Sequence, residues 1–160
     1  MWSSWIVVAM VAISSYYALA QQNDTEQVSH SALQSTLAES MAVYRDSVVQ
    51  YAHQHPAHIG AVPSVKLEFP EWHKNIRQDL WANYVDAKGS ITIYAQKLPE
   101  IDINNEIVTL SEGAAGAGQF NAADNTIDAP NIVGARAKLP DLPPDVIIPD
   151  HAPVWLAFRY

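Results

Sequence analysis

Three short stretches carry residue types able to do chemistry. His53-Gln54-His55-Pro56-Ala57-His58 gathers imidazoles, which bind transition metals. His53 and His55 are two apart, a poor spacing on a helix, and Pro56 stops any helix directly after them. No Asp, Glu or Cys at ligand spacing accompanies them, so the cluster reads as a solvated helix end. There a partly protonated imidazole favours the C-terminal dipole. Gly113-Ala114-Ala115-Gly116-Ala117-Gly118 is rich in glycine, but a phosphate cradle needs a Gly-Lys-Ser/Thr ending or ordered glycines between a strand and a helix. Gln119 and Phe120 follow instead, which points to a flexible or tightly turned connection. Ser111-Glu112-Gly113 and Asp150-His151 hold the residue types of a hydrolase without a G-x-S-x-G elbow to position them. The sequence therefore nominates no catalytic residue, no metal ligand and no cofactor.

Composition sharpens these exclusions. The chain has 160 residues, nine Lys+Arg against seventeen Asp+Glu, and no cysteine. That length suits one small domain with an appendage. Disulfides, thiolate metal sites and a thiol nucleophile are ruled out. A net charge of −8 argues against nucleic acid as a partner, since neutralising phosphates takes clustered Lys and Arg. Trp72, Trp81 and Trp155 lack interleaved basic residues, so they read as core or interface anchors rather than base-stacking platforms.

The first twenty residues have a different character. No charged side chain occurs from Trp2 to Ala20. As a helix this stretch would extend about 28 Å, close to the hydrocarbon thickness of a bilayer. Trp2 and Trp5 stand at one end, Tyr16 and Tyr17 at the other, where amphipathic rings anchor at interfaces. Ile6, Val7, Val8, Val11 and Ile13 supply the apolar body of this expected membrane anchor. The same stretch also fits a cleaved signal, with Ala18-Leu19-Ala20 before Gln21. Against cleavage stands the lack of any Lys or Arg at its start; against a firm anchor stand Ser3, Ser4, Ser14 and Ser15. Either way the remainder lies on one side of the membrane. No basic residue follows until Arg45, so cytoplasmic retention is not signalled and a bacterial chain would place its domain in the periplasm.

Residues 21–56 read as an amphipathic helix, most clearly from Asp24 to about Ala52, with Asn23, Asp24 or Thr25 as its cap. Leu33, Leu37, Met41, Tyr44, Val48 and Tyr51 recur at steps of four and three, forming one apolar stripe. The stripe fits packing on the chain's own sheet, or against a partner's helix. From residue 60 to 160 the pattern suggests a small antiparallel α+β domain. Val65 to Phe69 alternates like a strand. Leu80–Val85 and Ser90–Ala95 form an expected hairpin through Asp86-Ala87-Lys88-Gly89, with Gly89 supplying the φ > 0 residue. Ile91, Ile93 and Ala95 should share one face, and Thr92, Tyr94 and Gln96 the other. Ile107–Leu110 is a short strand candidate, and Asn121, Asp124 and Asn125 mark a turn. Pro140, Pro143, Pro144, Pro149 and Pro153 impose an extended tail, which ends in a strand at Val154–Phe158.

Taken in order, several features form a recognisable layout. They are the apolar start opening on Trp, Tyr44-x6-Tyr51-Ala52, Gly60-x-Val62, Leu67-x2-Pro70, Trp81-x-Asn83 and the Val85-to-Tyr94 hairpin. The Gly-Ala-Gly run and Ile148-Pro149-Asp150-x2-Pro153-Val154-Trp155-Leu156-Ala157 close it. This layout resembles the PilM family of conjugative-plasmid type IVb thin-pilus proteins, over nearly the whole chain. The actin-like PilM of type IVa pili is a different protein, whose nucleotide-binding signatures are absent here. The resemblance implies a non-enzymatic inner-membrane component of the pilin transport apparatus or pilus basal body, with no catalytic residues to carry over. Its partners would be other inner-membrane and basal-body pilus proteins, or a second copy. A pilin itself is not indicated, because the leader is uncharged and Glu26 lies outside the apolar run. The competing expectation is a signal-cleaved periplasmic binding or enzymatic domain.

Overall fold

The computed structural model describes residues 3–73, 77–130 and 132–159, with side chains from residue 29 onward. The chain divides into two compact units, Met1–Leu33 and Gln34–Tyr160. In the first, the described backbone is helical throughout, and it belongs to α1, Ser3–Gln54. No new helix starts at Asn23–Thr25. Ala18 to Gln22 are helix formers, and a capping residue does not break a helix that already has turns on both sides. Among the described residues no helix is long and apolar enough to cross a membrane. The expected anchor residues Trp2, Trp5, Ile6, Val7, Val8, Val11, Ile13, Tyr16 and Tyr17 lie outside the residues whose side chains are described.

The second unit is α+β, with strands β1 (Trp81–Val85), β2 (Ser90–Ala95), β3 (Ala117–Asn121), β4 (Thr126–Asp128), β5 (Arg136–Lys138) and β6 (Pro153–Phe158). They form one antiparallel sheet in the order β1-β2-β6-β3-β4-β5. The β1–β2 hairpin is where the sequence puts it. Gly89 has φ +86°, and Asp86 Oδ1 accepts from the Lys88 and Ser90 N–H groups at 2.8 and 2.7 Å. The C-terminal strand does pair into the sheet, and it takes a central place, between β2 and β3.

Directly opposed residues in an antiparallel ladder share a face. Register therefore gathers Trp81, Asn83, Val85, Ile91, Ile93, Ala95, Trp155 and Ala157 on one side. That side meets α1. Trp81 Nε1 donates to Ser40 Oγ at 3.0 Å, Asn83 Nδ2 donates to the Tyr44 hydroxyl at 2.8 Å, and the Arg45 guanidinium lies 5.0 Å from the Trp155 ring centroid. Tyr84, Thr92, Tyr94, Val154 and Leu156 share the opposite side. There the proline-rich tail begins, with Leu139, Pro140 and Asp141 bordering one recess together with Tyr84 and Leu156; Leu139 and Ile148 are core residues, and Leu142 and Val146 pack against the core. Having both faces covered explains why Ile91 to Ala95 are all buried, polar Thr92 included.

Two expected strands are absent. Val65–Phe69 does not pair; Ser64–Lys66 is a 3₁₀ turn, and Val65 is 94% exposed. Its alternation has no ladder to join. Pro63 and Pro70 flank it, the Leu67 N–H turns back to Ser64 O, and Ser47 Oγ donates to Glu68 O. Ile107–Leu110 lies in a helix, α2 (Asn104–Leu110). Ile103 and Ile107, four apart and both fully buried, belong to a helical period that a four-residue window cannot separate from a strand. Asp102 Oδ1 accepts from the Asn104 N–H at 2.8 Å and opens this helix.

A third short turn, Glu71–His73, buries His73 completely between Phe69 and Trp72, with ring centroids 5.3 and 5.6 Å away. Neither ring nitrogen has a partner among the described residues. Burial disfavours the imidazolium and lowers the pKa below the ordinary 6.5. The unfolded chain thus binds this proton more readily than the folded one. Stability from this site should be full above about pH 6.5, fall as pH drops through that value, and level off below the lowered folded pKa. Urea denaturation across pH should show this slope, at most about 1.4 kcal/mol per pH unit, and His73→Leu should remove it.

Candidate functional site

The helix stripe does not form a uniform surface. Met41, Tyr44 and Val48 are buried, Leu37 and Tyr51 pack at the core's margin, and Leu33 is 48% exposed. The buried face is wider than the apolar stripe because Ala38, Ser40, Ser47 and Ala52 join it. Ser40 and Ser47 escape a reading based on hydrophobicity, yet each makes a hydrogen bond that fixes α1 to the rest of the unit. Asn83 is the other hidden position. Its Oδ1 accepts from the Val62 N–H at 2.8 Å, and its Nδ2 donates to Val62 O at 2.9 Å as well as to Tyr44. Burial pushes the Tyr44 phenol up from its ordinary pKa, so it stays neutral within this network.

Several of the residues singled out for chemistry make structural contacts. His55 stacks on Tyr51 at 4.1 Å between centroids, its Nδ1 lies 3.0 Å from Tyr51 O, and His58 meets the same ring edge-on at 5.4 Å. His53 and His55 are exposed. Among the described residues no three His, Asp or Glu side chains are grouped to hold a metal. Ser111 Oγ donates to Val108 O, Glu112 has φ +55°, and Gly113 at φ +77° donates its N–H to Val108 O at 3.0 Å. This is the C-terminal cap of α2, with the left-handed residues such a cap uses. Asp150 Oδ1 accepts from the Ala122 N–H at 2.9 Å, which ties the turn before β6 to the end of β3.

What the structure adds is a cleft of about 520 Å³ at the end of β6. Arg45 and Val49 of α1 form one wall, Leu110 to Ala114 another, and Trp155 to Phe158 the floor. Phe158 is 53% and Leu110 45% exposed, large apolar groups at its lips. Phe158 ends a strand whose other residues are buried or half-buried.

The PilM family model matches residues 7–156. The chain belongs to the PilM family. It is the PilM of conjugative-plasmid thin pili, not the actin-like protein of the same name. No curated protein and no solved structure matches the chain. Membership in PilM points to pilus assembly and to association with the cell envelope and with other pilus components.

Proposed function

We propose that the protein is a membrane-anchored component of a conjugative thin-pilus assembly or pilin transport apparatus, working by protein association and not by catalysis. The observation that carries this is the extent of the family match. It begins at residue 7, inside the uncharged Trp2–Ala20 stretch, and runs to residue 156. Residues 7–20 of the apolar start fall within the match, which supports reading that stretch as a single inner-membrane pass. The absence of Lys and Arg between that stretch and Arg45 favours a periplasmic domain. Holding such a domain to one membrane raises the effective concentration of partners, so weak contacts suffice without added ones. Other inner-membrane or basal-body pilus proteins, or a second copy, are the partners this reading names.

The helix stripe bears on where those partners meet it. Tyr44 is too deeply buried to touch one, whereas Leu33 is open. A photoreactive residue at position 33, in membranes of cells making the pilus, should yield adducts with pilus proteins. The same residue at Met41 should yield none. Adducts at neither position, in cells whose pili form, would count against association through this face.

A further inference from the structure

We propose that the cleft at the end of β6 receives an extended, largely apolar segment of another protein, whose main chain pairs with Phe158 where β3 has left the ladder. The proposal deepens the association reading and rests on it. Register shows why the place is open. Ala117 is opposite Trp155 and Gly118 opposite Val154, so continuing the ladder would set Gly116 against Leu156 and Ala114 against Phe158. The first of these pairs is made, with the Leu156 N–H donating to Gly116 O at 2.7 Å. The second is not, because Ala114 turns away: its N–H donates to Ser111 O, and its C=O accepts from the Ala117 N–H.

Main-chain groups alternate along a strand between its two neighbours. The Arg159 N–H donates to Gly89 O on the β2 side, and Leu156 faces β3, so the Phe158 N–H and C=O are directed at the cleft. Unpaired main chain in a recess bordered by apolar side chains calls for a partner with backbone donors and acceptors and apolar side chains, which is a strand. Arg45 adds a polar requirement. Its Nη1 is held by Asp46 at 2.8 Å, while its Nε–H is buried without an acceptor. A carbonyl or an acidic side chain of the incoming segment would satisfy it.

The chain's own edge strands are poor candidates for the occupant. The outer side of β1 is bridged by Gly60, whose N–H donates to Val85 O at 2.8 Å and whose C=O accepts from the Val85 N–H at 3.1 Å. β5 is short and carries Arg136 and Lys138. Both devices blunt edge pairing, which favours a different protein over a second copy.

The test uses the full chain in detergent and a fluorescein-labelled peptide of about eight residues, alternating valine and threonine with one aspartate. A second peptide is N-methylated at alternate amides and cannot form a ladder. Anisotropy should show saturable binding of the first, and binding of the second weaker by about tenfold or more. Phe158→Asp should weaken the first peptide similarly; Leu110→Lys is the alternative should that variant fail to fold. Membrane retention should be unchanged in both variants, so loss of peptide binding is distinguishable from loss of anchoring. Equal binding of the two peptides, no saturation, or displacement of the peptide by a second copy of the chain would overturn the proposal.

Discussion

Gly118→Ala should lower stability by about 3 kcal/mol or more, a cost at the upper end of what overpacking produces. A Cβ at this position would lie 2.3 Å from Asp128 O, 2.9 Å from Asp128 C and 3.0 Å from Ala129 Cα, all of them main chain. A side chain can rotate away from such a contact; a paired strand cannot. Gly118 is itself set opposite Val154, and Asp128 is tied to Gln119 by register and to Arg136 by an ion pair of 2.6 Å. Relief therefore requires β3 and β4 to separate. Urea denaturation should report the loss, and hydrogen exchange should rise in β3, β4 and β5 more than in the β1–β2 hairpin. Gly134→Ala is the control: its φ is +77°, but nothing lies within 4 Å of the added Cβ, so only the left-handed backbone cost of about 1–2 kcal/mol applies.

Asn83→Leu should be of comparable severity by a different mechanism. Leucine has nearly the shape of asparagine, so packing changes little, while the Val62 N–H and the Val62 carbonyl lose their Asn83 partner and the Tyr44 hydroxyl keeps only Ser64. Each buried polar group left without one costs about 1–3 kcal/mol. Two of these groups belong to Val62, in the segment that bridges the edge of β1, and one to α1, while Asn83 itself is in β1, so the variant should loosen all three elements together. Adding Tyr44→Phe to Asn83→Leu should cost less than Tyr44→Phe alone, because the bond between the two side chains is already gone. A double-mutant cycle in urea would measure that coupling. If Asn83→Leu alone changed stability by less than about 1 kcal/mol, the hydrogen-bonded hub would not be what holds α1 to the sheet.

These two positions also mark where the sequence is readable and where it is not. The β1–β2 hairpin is legible because its signals are local: alternation on both arms and Gly89 in the turn. The closing strand is legible as a strand from Val154–Phe158, but its central place between β2 and β3 depends on long-range pairing that no local pattern encodes. Gly118 hides β3, since glycine is weak strand material and its use here comes from the close approach of Asp128. α2 is too short for its period to declare itself. Ser40, Ser47 and Asn83 look like surface residues until their hydrogen bonds are seen. The cleft at Phe158 was illegible for the same reason, as it exists only because Ala114 leaves the ladder one pair early.

The histidine and serine clusters teach the complementary lesson. Several residues with chemical potential make structural contacts: His55 and His58 against Tyr51, Ser111 to Gly113 as a helix cap, Asp150 holding Ala122. Such contacts depend on side chains that meet across a turn or a helix end, which local spacing describes better than it describes strand order.

The central claim is that an apolar start holds this domain to the inner membrane while it binds other pilus proteins. Sodium carbonate washing of membranes from cells making the pilus, followed by intact mass of the native chain, tests it most directly. The account predicts that the chain stays in the pellet with residues 1–20 attached. A chain that begins at Gln21 and is released to the supernatant would contradict it.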